Sequence, residues 1–133
     1  MPARHAAATP SALARAVDRI IRVLLALAFV SAGGLKLAGA PQFVAMFEQI
    51  GLGQWFRLFT GALELFGGLL ILIPHTARHA AALLAVVMVG ALATHAFVIG
   101  GNPSPAAVLL ALAAGVLWLR RPPIKFQQQR MPA

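Results

Sequence analysis

No cysteine occurs in the 133 residues, which excludes disulfides, thiol relays, thiolate-held zinc and iron–sulfur clusters from this chain. Any redox chemistry must then draw its redox-active group from a bound small molecule or a partner. Acidic residues are nearly absent too: Asp18, Glu48 and Glu64 stand against eleven Lys and Arg, for a net charge of +8. Charged residues of both signs make up 11% of the chain, where a soluble domain carries about 25%. The basic balance does not signal nucleic acid, because the charges sit at the ends of apolar runs and form no aromatic-interleaved stripe. They read as topology signals and as attraction to anionic lipid head groups. There is no phosphate-cradling loop, nucleophile elbow or metalloprotease signature, and no internal repeat.

What the chain has in excess is apolar length. Hydrophobic residues make up 60% and the mean hydropathy is +0.84, so lipid rather than water is the expected solvent. Four runs stand out: Ile20 to Leu37, Trp55 to Ile73, Ala80 to Ile99, and the shorter Pro105 to Leu119. A hydrocarbon core of about 30 Å takes about twenty helical residues. The alternating pattern of a barrel strand is missing. The expected fold is all-α, an integral membrane four-helix bundle over residues 17–121, with a disordered tail over 1–16 and a basic polar tail over 122–133. Cleavage after Ala40 is not expected, since the first apolar run exceeds a signal core and Pro41 follows directly.

Arg15, Arg19 and Arg22 precede the first run, Arg78 lies between the second and third, and Arg120, Arg121, Lys125 and Arg130 follow the fourth. With four spans all of these fall on one side, which the positive-inside rule makes cytoplasmic, together with both termini. The link Pro41 to Trp55 places Phe43, Val44, Phe47 and Ile50 at helical spacing, stopped by Gly51 and Gly53. It reads as a short amphipathic helix in the outer interface, either a lid over a site or a plain connector.

Glu64 lies midway along the second run, where a carboxylate costs about 2.5–3.5 kcal/mol even on lenient insertion scales. It therefore needs a partner, and Lys36, Arg57 and His95 fall at matching depths. Arg57, Thr60, Gly61, Glu64, Gly67 and Gly68 share one helix face by three- and four-residue steps, and the glycines admit a neighbouring backbone. The expectation is a pocket between spans one, two and three with Glu64 at its floor. Two readings stay open: a structural pair, Glu64 with Lys36 or with His95, that fixes helix register; or a ligand and proton site in which His95 and Glu64 exchange a proton and a quinone carbonyl finds a donor in an apolar slot. His75 and His79 share a face but lack further ligands, so no metal site is expected. The small-residue stripe Ala106, Ala107, Ala111, Ala114 and Gly115 permits self-association as well as lipid contact.

The ordered set GGLKL at Gly33 to Leu37, FxxMF at Phe43 to Phe47, GALELFGGLLILI at Gly61 to Ile73 and ATH at Ala93 to His95 resembles the DoxX family of small four-helix bacterial inner-membrane proteins. The resemblance spans Arg22 to about Leu119. It implies a membrane subunit of an oxidoreductase system acting with partner subunits on quinone or another small molecule, and the alternative is a non-catalytic anchor or assembly protein for a partner enzyme. On this reading Glu64 and His95 are candidate catalytic residues, and Lys36, Arg57, Thr60, Gly67 and Gly68 are candidate ligand-binding residues. The glycine-rich, aspartate-bearing end of many relatives is replaced here by a basic tail.

Overall fold

Ser11 accepts a hydrogen bond from the Ala14 amide at 3.1 Å and so starts helix α1 (Ala12–Ala38), satisfying one of the four orphan donors at a helix N-terminus. The helix ends at Gly39, in the left-handed conformation at φ 74°, which only glycine adopts without strain. The computed structural model describes residues 9–122. Its other elements are α2 (Pro41–Ile50), α3 (Gln54–Leu70), α4 (Ala77–Thr94), a π-helical segment (His95–Ile99) that continues α4, and α5 (Ser104–Leu119). Within the described residues no strand occurs.

The expected helices are present, with two corrections at their edges. Residues 12–16, assigned from sequence to the N-terminal tail, are the first turns of α1, because the Ser11 cap lies upstream of the apolar run. Residues 1–8 and 123–133, the rest of both tails, fall outside the described residues. The third apolar run is not one uniform helix: it changes from α to π geometry at His95. Pro41 opens α2 and Gly51, at φ 78°, closes it, as the link pattern implies. Pro105 sits in the first turn of α5, where its missing N–H costs nothing.

Two helical stretches are long and apolar enough to cross a membrane, Ala12–Ala38 and Ala77–Ile99. The apolar α5 is shorter. α1 packs against α3 and α5, and α4 packs against α3 and α5. Leu25 and Phe29 of α1, Leu84 of α4 and Val116 of α5 are sealed in the core they share. The outward surface is apolar as well. Leu27, Phe66 and Val86 are exposed and Phe97 is 87% exposed, an arrangement that water would penalise and lipid would not.

The closest approach is between α1 and α3. A Cβ on Gly33 would lie 2.6 Å from the Gly61 carbonyl oxygen and from the Leu65 amide nitrogen, and a Cβ on Gly61 would lie 2.9 Å from the Lys36 Cβ. The neighbouring Gly34 has open space around it. Gly33→Ala is expected to destabilise by about 1–3 kcal/mol by forcing the backbones apart. Gly34→Ala should be neutral or stabilising by up to ~1 kcal/mol through helix propensity. Thermal unfolding of the two variants in detergent checks this: equal midpoints would contradict the backbone contact.

Candidate functional site: a buried ion pair beside an apolar cavity

Side chains on a helix tilt toward its N-terminus. In the antiparallel pair α1 and α3 this aims Lys36, near the end of α1, back down toward Glu64, and aims Glu64 up toward Lys36. The Lys36 Nζ donates to Glu64 Oε2 at 2.5 Å. Both side chains are buried, Glu64 to 4% exposure and Lys36 to 11%. The ammonium also stands 4.9 Å from the centroid of the Phe43 ring, on α2, a second favourable contact for a desolvated cation. Of the three partners the sequence offers Glu64, the structure selects Lys36.

Arg57 does something else. Its Nη1 donates to the Lys36 carbonyl at the C-terminus of α1, and its Nε donates to Gln54 Oε1 at 2.6 Å. Gln54 in turn donates to the Val44 carbonyl of α2 at 3.1 Å. Arg57 is thus a cap for the neighbouring helix, where a cation suits the dipole. The opposite end of the same helix pair repeats the device. Arg22, in the first half of α1, donates from Nη1 to the Ile71 and Leu72 carbonyls just past α3, at 3.1 and 2.8 Å. Asp18 then accepts from Arg22 Nε at 3.0 Å, from Arg120 Nε at 2.8 Å and from Arg120 Nη2 at 2.7 Å. The sequence marks Arg22 and Arg120 as topology signals only and gives Asp18 no role. The i,i+4 spacing of Asp18 and Arg22 was a signal for the local pair, whereas Arg120 lies 102 residues away. Among the described residues no buried side-chain nitrogen or oxygen lacks a partner.

Lys36 and Glu64 line a cavity of about 660 Å³, within the range of about 300–1,000 Å³ common for small-molecule sites. Apart from that pair, its polar lining side chains are Thr60, Thr94 and His95. The expected enclosure by spans one, two and three is incomplete. α2 contributes Phe43, Met46, Phe47 and Ile50, and the start of α5 contributes Pro105 and Ala106. Thr60 Oγ1 donates back to the Phe56 and Arg57 carbonyls at 3.0 and 3.2 Å, which leaves its lone pairs as acceptors. His95 Nδ1 lies 2.7 Å from the Gly100 carbonyl. A carbonyl only accepts, so Nδ1 carries the proton and Nε2 is the free nitrogen, an acceptor when the ring is neutral and a donor when it is charged. Its place at the first residue of a π-helical segment is typical of functional positions.

Three sequence candidates lie off the cavity wall. Gly67 and Gly68 do not line the cavity. A Cβ on Gly67 would sit 2.7 Å from Leu84 Cδ2, and one on Gly68 would sit 3.1 Å from Phe29 Cβ and from the Val30 backbone nitrogen, so Gly67 seats a core side chain and Gly68 admits the backbone of α1. Arg57 also lies off the cavity wall. The ELxGG pattern therefore combines one site residue with two packing residues. Within the small-residue stripe of α5, Ala106 is buried in the core, while Ala107, Ala111 and Ala114 stay exposed.

Helices suited to a bilayer, a charge pair hidden between two of them and an apolar cavity against that pair define a helical membrane protein with an internal polar site. The chain belongs to the DoxX-like family, whose profile matches residues 20–119. No curated protein and no solved structure matched.

Removing one member of a buried ion pair leaves an uncompensated charge, at a cost of about 3–5 kcal/mol. Glu64→Gln is expected to lower stability by roughly that amount. The double variant Lys36→Met/Glu64→Leu should recover most of it, since well-packed apolar replacements are often neutral. Thermal midpoints of the two variants check the pairing: a double variant as unstable as the single would contradict it.

Proposed function

We propose that this chain is a four-helix transmembrane bundle of the bacterial inner membrane and the membrane subunit of an oxidoreductase system, with the cavity beside Lys36 and Glu64 as its quinone or small-molecule pocket. α1, α3, α4 and α5 would span the bilayer and α2 would lie in the outer interface, covering the pocket as a lid. Arg22 and Arg120 meet through Asp18 at the end of the molecule opposite Lys36, which supports a cytoplasmic face there, with both termini on it. The pocket then falls in the outer half of the membrane.

The observation that carries this reading is the presence of the ion pair in the wall of an otherwise apolar cavity. An ammonium has three N–H donors, and Lys36 commits one of them to Glu64. It can direct another at a ligand carbonyl, while Glu64 balances the charge and the Phe43 face excludes water. Thr60 offers an acceptor, and His95 Nε2 is placed to hold or release a proton at the cavity wall. A bound quinone would supply a reversible acceptor for two electrons and two protons. Without cysteine, this chain leaves the electron donor to a partner subunit. The second reading, a non-catalytic anchor for a partner enzyme, is favoured by one fact: the pair already satisfies itself and ties α1 to α3.

Trp55 lies 5.6 Å from the Phe56 ring, and Phe56 lines the cavity, whereas Trp118 is at the far end of the molecule. In a Trp118→Phe background, a short-chain quinone is expected to quench Trp55 fluorescence saturably. Ala91→Phe, which adds bulk to the cavity wall from α4 and leaves both charged residues in place, should abolish the saturable component. Quenching that is linear and unchanged by Ala91→Phe would remove the pocket reading and leave the anchor.

A further inference from the structure

At the end of the molecule away from the cavity, a separate cleft of about 320 Å³ is lined by Arg15, Arg19, Arg22 and Arg120 around Asp18. Four guanidinium groups less one carboxylate leave three positive charges. The Asp18 oxygens are already taken by Arg22 and Arg120, which locks those two side chains but neutralises one charge only. Arg15 donates from Nη1 to the Pro10 carbonyl at 2.9 Å, and Arg19 has no hydrogen-bond or ion-pair partner among the described residues. No further side-chain carboxylate exists to fill the cleft. The chain has only three acids, of which Glu64 is held by Lys36 and Glu48 sits on α2 beyond the other end of α1. The acidic side chains of this protein therefore leave three positive charges at the cleft without a carboxylate partner.

The setting indicates which anion. Leu119 and Pro74 wall the same cleft, and Trp118, 66% exposed and stacked under the Arg121 guanidinium at 4.1 Å, lies one residue away on α5. Trp and Arg together mark the level of lipid head groups. Planar guanidinium forks recognise phosphate oxygens in pairs. We propose that this cleft is a binding site for a phosphate ester, supplied by the head group of an anionic phospholipid. Arg15 and Arg19 supply its adjustable forks, and Arg22 and Arg120, whose guanidinium groups already donate to Asp18 and to the Ile71, Leu72 and Pro74 carbonyls, are its fixed floor and contribute charge. The site is independent of what occupies the larger cavity.

The test uses the full chain in neutral detergent. Titration with a phosphatidylglycerol, with a phosphatidylcholine of the same acyl chains, and with inorganic phosphate is read by native mass spectrometry. Retention of one phosphatidylglycerol in preference to phosphatidylcholine is expected. Arg15→Gln/Arg19→Gln removes two exposed arms without touching the Asp18 cluster. It should weaken that retention about tenfold more than the control Arg78→Gln/Arg121→Gln, which removes the same charge elsewhere on this face. Unchanged thermal midpoints would show that both variants fold. Equal losses in the two double variants, or equal retention of the two lipids, would overturn the site. Displacement of the lipid by millimolar inorganic phosphate would keep the phosphate chemistry and overturn the lipid as its source.

Discussion

The contact of two backbones at Gly33 and Gly61 governs where every buried charge in this protein can go. With no Cβ between them, α1 and α3 lie close enough for Lys36 to reach Glu64 and for Arg57 to reach the last carbonyls of α1. The same antiparallel register brings Arg22 to the carbonyls past the end of α3. Each helix therefore carries, near its own start, the cation that caps the end of the other. In lipid no water is at hand to satisfy exposed carbonyls, and a cation at a helix C-terminus also complements the dipole. Arginines that look like misplaced charges in an apolar sequence are backbone ligands.

That register has a consequence for the cavity. α1 and α3 close on each other, so the free volume collects on the side where α2, α4 and the π-helical segment face them. A π turn inserts an extra residue into the helix, and here it begins at His95 and ends at Gly100, whose φ is 67°. The imidazole is anchored to that glycine carbonyl, so His95 borders the cavity without touching the ion pair. α2 is bounded by two left-handed glycines, Gly39 and Gly51, and tied to α3 through Gln54. Its apolar face covers the polar pair with Phe43 and Phe47.

Much of this could be read from the residues, for identifiable reasons. Apolar run lengths and the stop signals Gly51 and Gly53 set the helices, and three- and four-residue steps put Thr60 and Glu64 on one inward face. A carboxylate in the middle of an apolar run demands a partner, so Glu64 was conspicuous. The identity of that partner was not, since three cations at similar depth satisfy the same demand and only side-chain tilt and helix spacing choose between them. Arg57 was misread because a carbonyl at a helix end leaves no mark in the sequence. Gly67 and Gly68 lie in the helix contact and not on the cavity wall, and a glycine that admits a ligand looks the same in sequence as one that admits Leu84 or the α1 backbone. Asp18, at the edge of a hydropathy span, drew no attention until the distant Arg120 was placed beside it.

Lys36 and Glu64 form one closed pair in the wall of a cavity, and the proposed function puts a ligand in it. A density map of the protein in a lipid nanodisc, prepared without added quinone, tests it most directly. Continuous density is expected between Lys36 Nζ and Glu64 Oε2, with a non-protein feature against them beneath α2. Glu64 turned toward lipid, or a cavity collapsed by the side chains of α2 and α4, would contradict it.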